Sequence, residues 1–95
     1  MKIEYDPAKR LETLIKRELD MADVALVFDG PTKTYEDLRK DYGETRYITI
    51  GFFADRMVLI AWTNRGDARR IISFRRANDR EIAGFLPDVR SGFRA

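Results

Sequence analysis

Tyr47-Ile48-Thr49-Ile50-Gly51-Phe52-Phe53, then Ala54-Asp55, then Met57-Val58-Leu59-Ile60-Ala61-Trp62 is the stretch that decides how this chain folds. Ile48, Ile50 and Phe52 alternate with their neighbours at the period of two that puts side chains on one face of a strand. Ala54-Asp55 is a compact connector, so a hairpin follows. Met57 to Trp62 is continuously apolar, which reads as a central strand covered on both faces. Beyond it, Asn64-Arg65-Gly66-Asp67 is a turn with glycine available for a positive φ. A further strand is predicted from Arg69 to Arg75, with Ile72 and Phe74 on one face and Arg69, Ser73 and Arg75 on the other. Ala77 to Phe85 reads as a short helix capped by Asn78 or Asp79, and the residues after Leu86-Pro87 as a tail.

Upstream of the hairpin, Ile3 and Tyr5 mark a short extended piece, and Asp6-Pro7 supplies an N-cap followed by proline at the first helical position. The helix that starts there ends at Lys16-Arg17. Its Ala8, Leu11, Leu14 and Ile15 recur at helical spacing and are predicted to face the core, opposite a polar stripe of Lys9, Thr13, Lys16 and Arg17. Asp20 caps a second helix carrying Met21, Val24, Ala25 and Phe28 at i, i+3, i+4 and i+7, closed by Asp29-Gly30-Pro31. Thr32 to Tyr35 suits a short strand, and Glu36 to Gly43 a charged loop. The fold class expected is α+β: a strand, two helices, a three- to four-stranded antiparallel sheet with the helices packed on one face, and a C-terminal helix.

The 95 residues, 44% of them apolar, suit one domain over 1–95, with a core at about 3–85 and a tail at 86–95. There is no cysteine and no histidine. Disulfides, thiolate nucleophiles and zinc–thiolate sites are thereby removed, together with the usual general base near neutral pH. A metal site would have to be built from carboxylates alone, and no acidic cluster has ligand-like spacing, so neither metal nor other cofactor is expected. Nothing resembles a signal peptide or a bilayer-spanning run, so a cytoplasmic protein without membrane contact is expected.

The net charge of +2 conceals a division. Residues 65–95 carry eight Arg against four acids, whereas residues 1–64 carry ten Lys plus Arg against twelve acids. A guanidinium presents a planar fork of donors matched to phosphate oxygens and stays charged at physiological pH. The basic half therefore suits a polyanion such as nucleic acid, or alternatively a charged, solvated sheet edge. RNA is cleavable without metal or cofactor, because its 2′-OH is a built-in nucleophile and preorganised cations stabilise the phosphorane. Arg65, Arg69 and Arg75 are candidate clamps, with Arg46 reaching in from the neighbouring strand. Glu44 and Lys9 are candidates for proton transfer. Glu44 and Arg46, two residues apart on one strand side, are equally placed to pair with each other.

Five blocks together resemble the BrnT family of bacterial toxins: Asp6-Pro7-Ala8-Lys9, Val27-Phe28-Asp29, Tyr42-Gly43-Glu44-Thr45-Arg46-Tyr47, Thr63-Asn64-Arg65-Gly66 and Arg70-Ile71-Ile72-Ser73-Phe74-Arg75-Arg76-Ala77. The resemblance covers roughly residues 3 to 85. It implies a RelE-like ribonuclease fold and a type II toxin that inhibits translation by cutting RNA. It also implies a hetero-oligomer with a cognate BrnA-type antitoxin, through which alone operator DNA would be bound. The residues it carries over are Lys9, Glu44, Arg46, Arg65, Arg70 and Arg75, with Lys16 and Arg17; Arg69, Arg70 and Arg76 join Lys16 and Arg17 as candidate RNA contacts. The chain departs from the family pattern late in the first helix, where Thr13 and then Lys16-Arg17-Glu18 stand for the usual asparagine and lysine-histidine-glycine, so that Arg17 takes the histidine's place. It departs again at Phe85, where members have tyrosine. An alternative reading is therefore a catalytically weakened homologue that binds nucleic acid or antitoxin in operon repression.

Overall fold

The computed structural model describes residues 1–94, with side chains through Asp88. In chain order the elements are β1 (Lys2–Glu4), α1 (Pro7–Arg17), a 3₁₀ turn (Met21–Asp23), α2 (Val24–Phe28), β2 (Lys33–Glu36), β3 (Arg46–Phe53), β4 (Arg56–Arg65), β5 (Ala68–Arg76) and α3 (Asp79–Arg94). The strands form one sheet in the order β1-β5-β4-β3-β2. β4 is central, as its unbroken apolar run requires. Val58, Ile60 and Trp62 point to one face, where they pack with Leu19, Met21, Val24, Val27, Ile71 and Phe74. Met57 and Leu59 point to the other, where Ile48 and Ile50 join them and Ile82, Phe85 and Leu86 of α3 lie against them. A strand that is apolar on both sides must be covered on both sides.

Three expectations are corrected here. Helices flank both faces rather than one. The sheet has five strands and is mixed, because β1 pairs in parallel with β5 (Ile3 opposite Arg69) while the other pairs are antiparallel. A parallel pair needs a long crossover, and the intervening helices and hairpin supply it. Finally, α3 begins at Asp79 and runs to Arg94, so residues 86–94 continue a helix through Pro87 instead of forming a tail; Ala95 lies outside the described residues.

β5 contains the bulge that matters most for the site. Ala61 faces Ser73 but Trp62 faces Ile71, so Ile72 has no partner on β4. One extra residue reverses the alternation. Ile71 and Phe74 consequently share the core face, not Ile72 and Phe74, and Arg69 lies on the face opposite Ser73 and Arg75. Arg69 packs there over the rings of Trp62 and Phe28, 4.3 and 4.7 Å from their centroids.

α1 has the expected bounds and caps, with Asp6 accepting from the Ala8 N–H at 2.8 Å and Glu18 left-handed at φ 57. Its orientation is the reverse of the one its pattern predicts. Leu11, Leu14 and Ile15 are 59%, 42% and 70% exposed, and the buried side chain is Thr13. The core beside it is already filled by Leu19, Met21, Val24 and Val27 from the next segment. α1 is held by polar contacts instead: Arg10 grips Asp20 through two hydrogen bonds of 2.7 and 2.9 Å, and Arg17 donates to the Phe74 carbonyl at 3.2 Å. The predicted second helix is split into the 3₁₀ turn and α2, with Asp20 accepting from the Ala22 N–H as expected. α2 lies so close to β3 that a Cβ on Gly51 would meet Val27 Cγ1 at 2.7 Å.

The β3–β4 hairpin closes through Ala54 and Asp55, both left-handed at φ 51 and 63. A two-residue turn of this hand favours Asn-Gly, because L residues with a Cβ are strained there. Ala54→Asn combined with Asp55→Gly is expected to stabilise the protein by about 1 kcal/mol, raising the thermal midpoint by roughly 4–8 °C. An unchanged midpoint in calorimetry would show that the native turn carries no such strain.

Candidate active site

On the α3 side of the sheet, pairing register sets side chains in rows. Arg46 on β3, Thr63 on β4, Arg70 on β5 and Glu4 on β1 form one row; Tyr35 on β2, Ile48, Ala61 and Ser73 form the next. Arg46 and Arg70 are two strands apart, so their Cα atoms are separated by roughly 10 Å. Thr63 between them is buried and donates to the Thr45 carbonyl at 2.7 Å. Beside this row, where α3 stops covering the sheet, is a cleft of about 130 Å³. Its floor is Ile48, Leu59 and the small side chain of Ala61; its rim is Tyr35, Arg39, Ser73, Arg75 and Glu81.

Four guanidinium groups around this surface each have a carboxylate beside them. Arg46 Nε donates to Glu44 at 3.0 Å, and the Arg46 guanidinium lies 4.1 Å from the Tyr42 ring centroid. Arg70 reaches Glu4 through one long contact of 3.4 Å. Arg39 binds Asp37 through both Nε and Nη2 at 2.8 Å, and together with Tyr42 it holds that carboxyl far below the usual carboxylate range. Arg75 forms the tightest pair, a fork on Glu81 at 2.8 and 2.7 Å. Those bonds lower the Glu81 pKa to about 2 against the opposing effect of desolvation. Glu81 also accepts from the Asn78 N–H at 3.0 Å while its own N–H donates to Asn78 Oδ1 at 2.8 Å, a capping box that starts α3.

The donors still available therefore differ. A guanidinium has five N–H donors. Arg46 uses only Nε and Arg70 only one Nη on carboxylates, which leaves both able to bind a phosphate; Arg75 has both Nη groups engaged. Tyr35, whose ring lies 6.1 Å from that of Phe85, has a pKa raised by burial, with Arg39 partly offsetting it. Its hydroxyl is protonated at neutral pH and can donate.

Of the residues singled out in the sequence, Arg46, Arg70, Arg75 and Glu44 gather on this surface. Arg65 closes β4 beyond the Arg46–Arg70 row and is exposed. Lys9, Lys16 and Arg17 gather elsewhere, in a groove of about 220 Å³ between α1 and the Ile72–Ser73 edge of β5, where Lys16 pairs with Glu12 at 2.9 Å. Arg69 and Arg76 lie on the opposite face. Arg69 is stacked over Trp62 and Phe28, and Arg76 donates to the Arg17 carbonyl. Tyr35, Arg39 and Ala61 were not legible as site residues. Only the β2–β3 register brings Tyr35 to Ile48, and no local pattern marks that partnership.

A family model described as the ribonuclease toxin, BrnT, of type II toxin–antitoxin systems matches residues 5–81. The chain belongs to the BrnT family. The BrnT match runs from Tyr5 to Glu81 and so contains all the cleft residues named above, ending inside the capping box of α3. BrnT membership makes this a ribonuclease toxin by family, with an RNA substrate and an antitoxin partner. No protein of curated function matches the chain.

Proposed function

We propose that this BrnT family member is a metal-independent endoribonuclease that inhibits translation in the cytoplasm by cutting RNA at the cleft over Ala61, and that a BrnA-type antitoxin neutralises it. The observation that carries the reading is the Arg46–Thr63–Arg70 row, two guanidinium groups with donors to spare bordering a dent floored by a small side chain. In this scheme Arg46 and Arg70 grip the scissile phosphate and Arg65 binds the neighbouring one. Glu44, which shares this surface with Arg46, takes the proton of the 2′-OH in place of Lys9, which lies in the α1 groove. The 2′ oxygen attacks phosphorus, the bond to the 5′ oxygen breaks, and Tyr35 returns a proton to that leaving oxygen. The products are a 2′,3′-cyclic phosphate and a 5′-OH. Permanent cations aimed at the phosphorane supply the main rate effect.

Arg17 and Phe85, at the departing positions, make structural contacts to the Phe74 carbonyl and the Tyr35 ring. The carboxylate beside each cleft arginine favours a second reading, a binding module that no longer cleaves. Incubating the purified chain with end-labelled RNA in EDTA separates the two. The expected result is cleavage with cyclic-phosphate ends, undiminished by chelation; intact RNA, retained by the protein in a salt-sensitive complex, would establish the binding module instead.

A further inference from the structure

The outward face of α1 is the largest conflict between sequence and structure in this protein. Ala8, Leu11 and Ile15 point away from the sheet, opposite the Arg10–Thr13–Arg17 side that holds the helix in place, and Leu14 borders them. A strongly amphipathic helix that exposes its apolar stripe is a helix waiting for a partner. Along one border of the stripe run Glu12, Lys16 and Lys9, and beyond them opens the basic groove of Lys9, Lys16 and Arg17. Glu12 is already paired with Lys16. The surface is thus an apolar ridge with a cationic slot beside it. It fits an amphipathic helix that carries carboxylates along one edge, inserting apolar side chains on Leu11 and Ile15 and acids into the slot. A second copy of this chain would bring the same basic border and no excess of acid to meet it.

We propose that this face of α1 is where the antitoxin docks, through an acidic-edged amphipathic helix. The proposal rests on the toxin reading for the identity of the partner, but its test is binding and is read independently of RNA cleavage. Leu11→Gln with Ile15→Gln replaces exposed side chains by another good helix former, so the fold is retained. Titrating the purified BrnA-type antitoxin into the full-length wild-type chain and this variant should show an affinity loss of roughly 100-fold or more, the effect of removing two buried aliphatic contacts. Melting temperature and RNA cleavage should not change. Leu38→Gln, at a site 79% exposed on the β2–β3 connection, serves as the control and should bind like wild type.

Equal affinity of wild type and double variant overturns the proposal, as does a wild-type chain that fails to bind the antitoxin. A wild-type dimer in sedimentation that the double variant dissolves also overturns it, because the occupant is then a second copy. Loss of binding in the double variant from a wild type that cleaves no RNA keeps the docking surface and removes the ribonuclease reading. Cleavage with antitoxin binding indifferent to both substitutions does the reverse.

Discussion

Arg46→Ala combined with Arg70→Ala is expected to lower RNA cleavage by roughly 10²- to 10⁴-fold while the protein still folds, because removing one preorganised oxyanion donor typically costs 10²- to 10³-fold and two donors on one phosphate do not act additively. The pairs being broken are surface pairs. Arg46–Glu44 has side chains 28% and 37% exposed, and Arg70–Glu4 29% and 36%. Such exposed pairs contribute about 0.2–1 kcal/mol each, so the double variant should lose at most about 2 kcal/mol and its melting temperature should fall by roughly 2–16 °C. Arg46→Lys should recover part of the binding and little of the rate, since an ammonium cannot present the planar fork. The binding readout is equally specific: the slope of log affinity against log salt for single-stranded RNA should become shallower by about 1.4 in the double alanine variant. Full activity in that variant would place the scissile phosphate elsewhere.

Glu81→Ala should be the most destabilising of the substitutions considered, by about 2–3 kcal/mol. It removes the acceptor of the Arg75 fork and, at the same position, one half of the α3 capping box. At roughly 4–8 °C per kcal/mol the thermal midpoint should fall by some 10–20 °C. The apolar patch of Ile48, Ile50, Met57 and Leu59 depends on α3 for its cover, so increased binding of a hydrophobic dye should accompany the loss. Arg75→Ala breaks the same fork, and a loss of RNA cleavage in that variant would report a loosened α3 as readily as a lost phosphate clamp.

The same carboxyl predicts a pH dependence. Glu81 titrates at about 2 in the folded protein against about 4.3 in an unfolded chain, and Asp20, held down by Arg10 and the Ala22 N–H, also titrates at about 2. A folded pKa below the unfolded one gives stability that is complete above the unfolded value and is lost as pH falls through the folded one. Stability should therefore decline between about pH 4.5 and 2. Glu81→Gln should flatten part of that decline in chemical denaturation curves, and an identical profile in the variant would show that Glu81 is not held as described.

The chemistry-bearing residues were legible in the sequence more readily than their partners. The Glu44–Arg46 pairing is a local relation two residues long, whereas Arg70 joins that surface only through the bulge, since strict alternation puts it on the face of Ile72 and Phe74. Strict alternation puts Arg69 with Ser73 and Arg75; the unpaired Ile72 separates them. A bulge is set by which residue of the neighbouring strand finds a partner, and β5 alone carries no sign of it. Glu81 as the partner of Arg75, and Tyr35 beside the cleft, likewise depend on elements that meet only after α3 and β2 have docked.

By itself the sequence determined what neighbours within a few residues decide. Asp6 caps α1, the Asn78–Asp79 pair marks the start of α3, Ala54-Asp55 turns the hairpin, and the Met57–Trp62 run places β4 at the sheet's centre with cover on both sides. Tertiary structure alone decided the parallel docking of β1 on β5, the helix on each face, and the outward turn of Leu11 and Ile15. The reason is that an amphipathic pattern fixes that a helix has an apolar side, while the volume left by Leu19, Met21, Val24 and Val27 fixes whether that side has anywhere within its own chain to go.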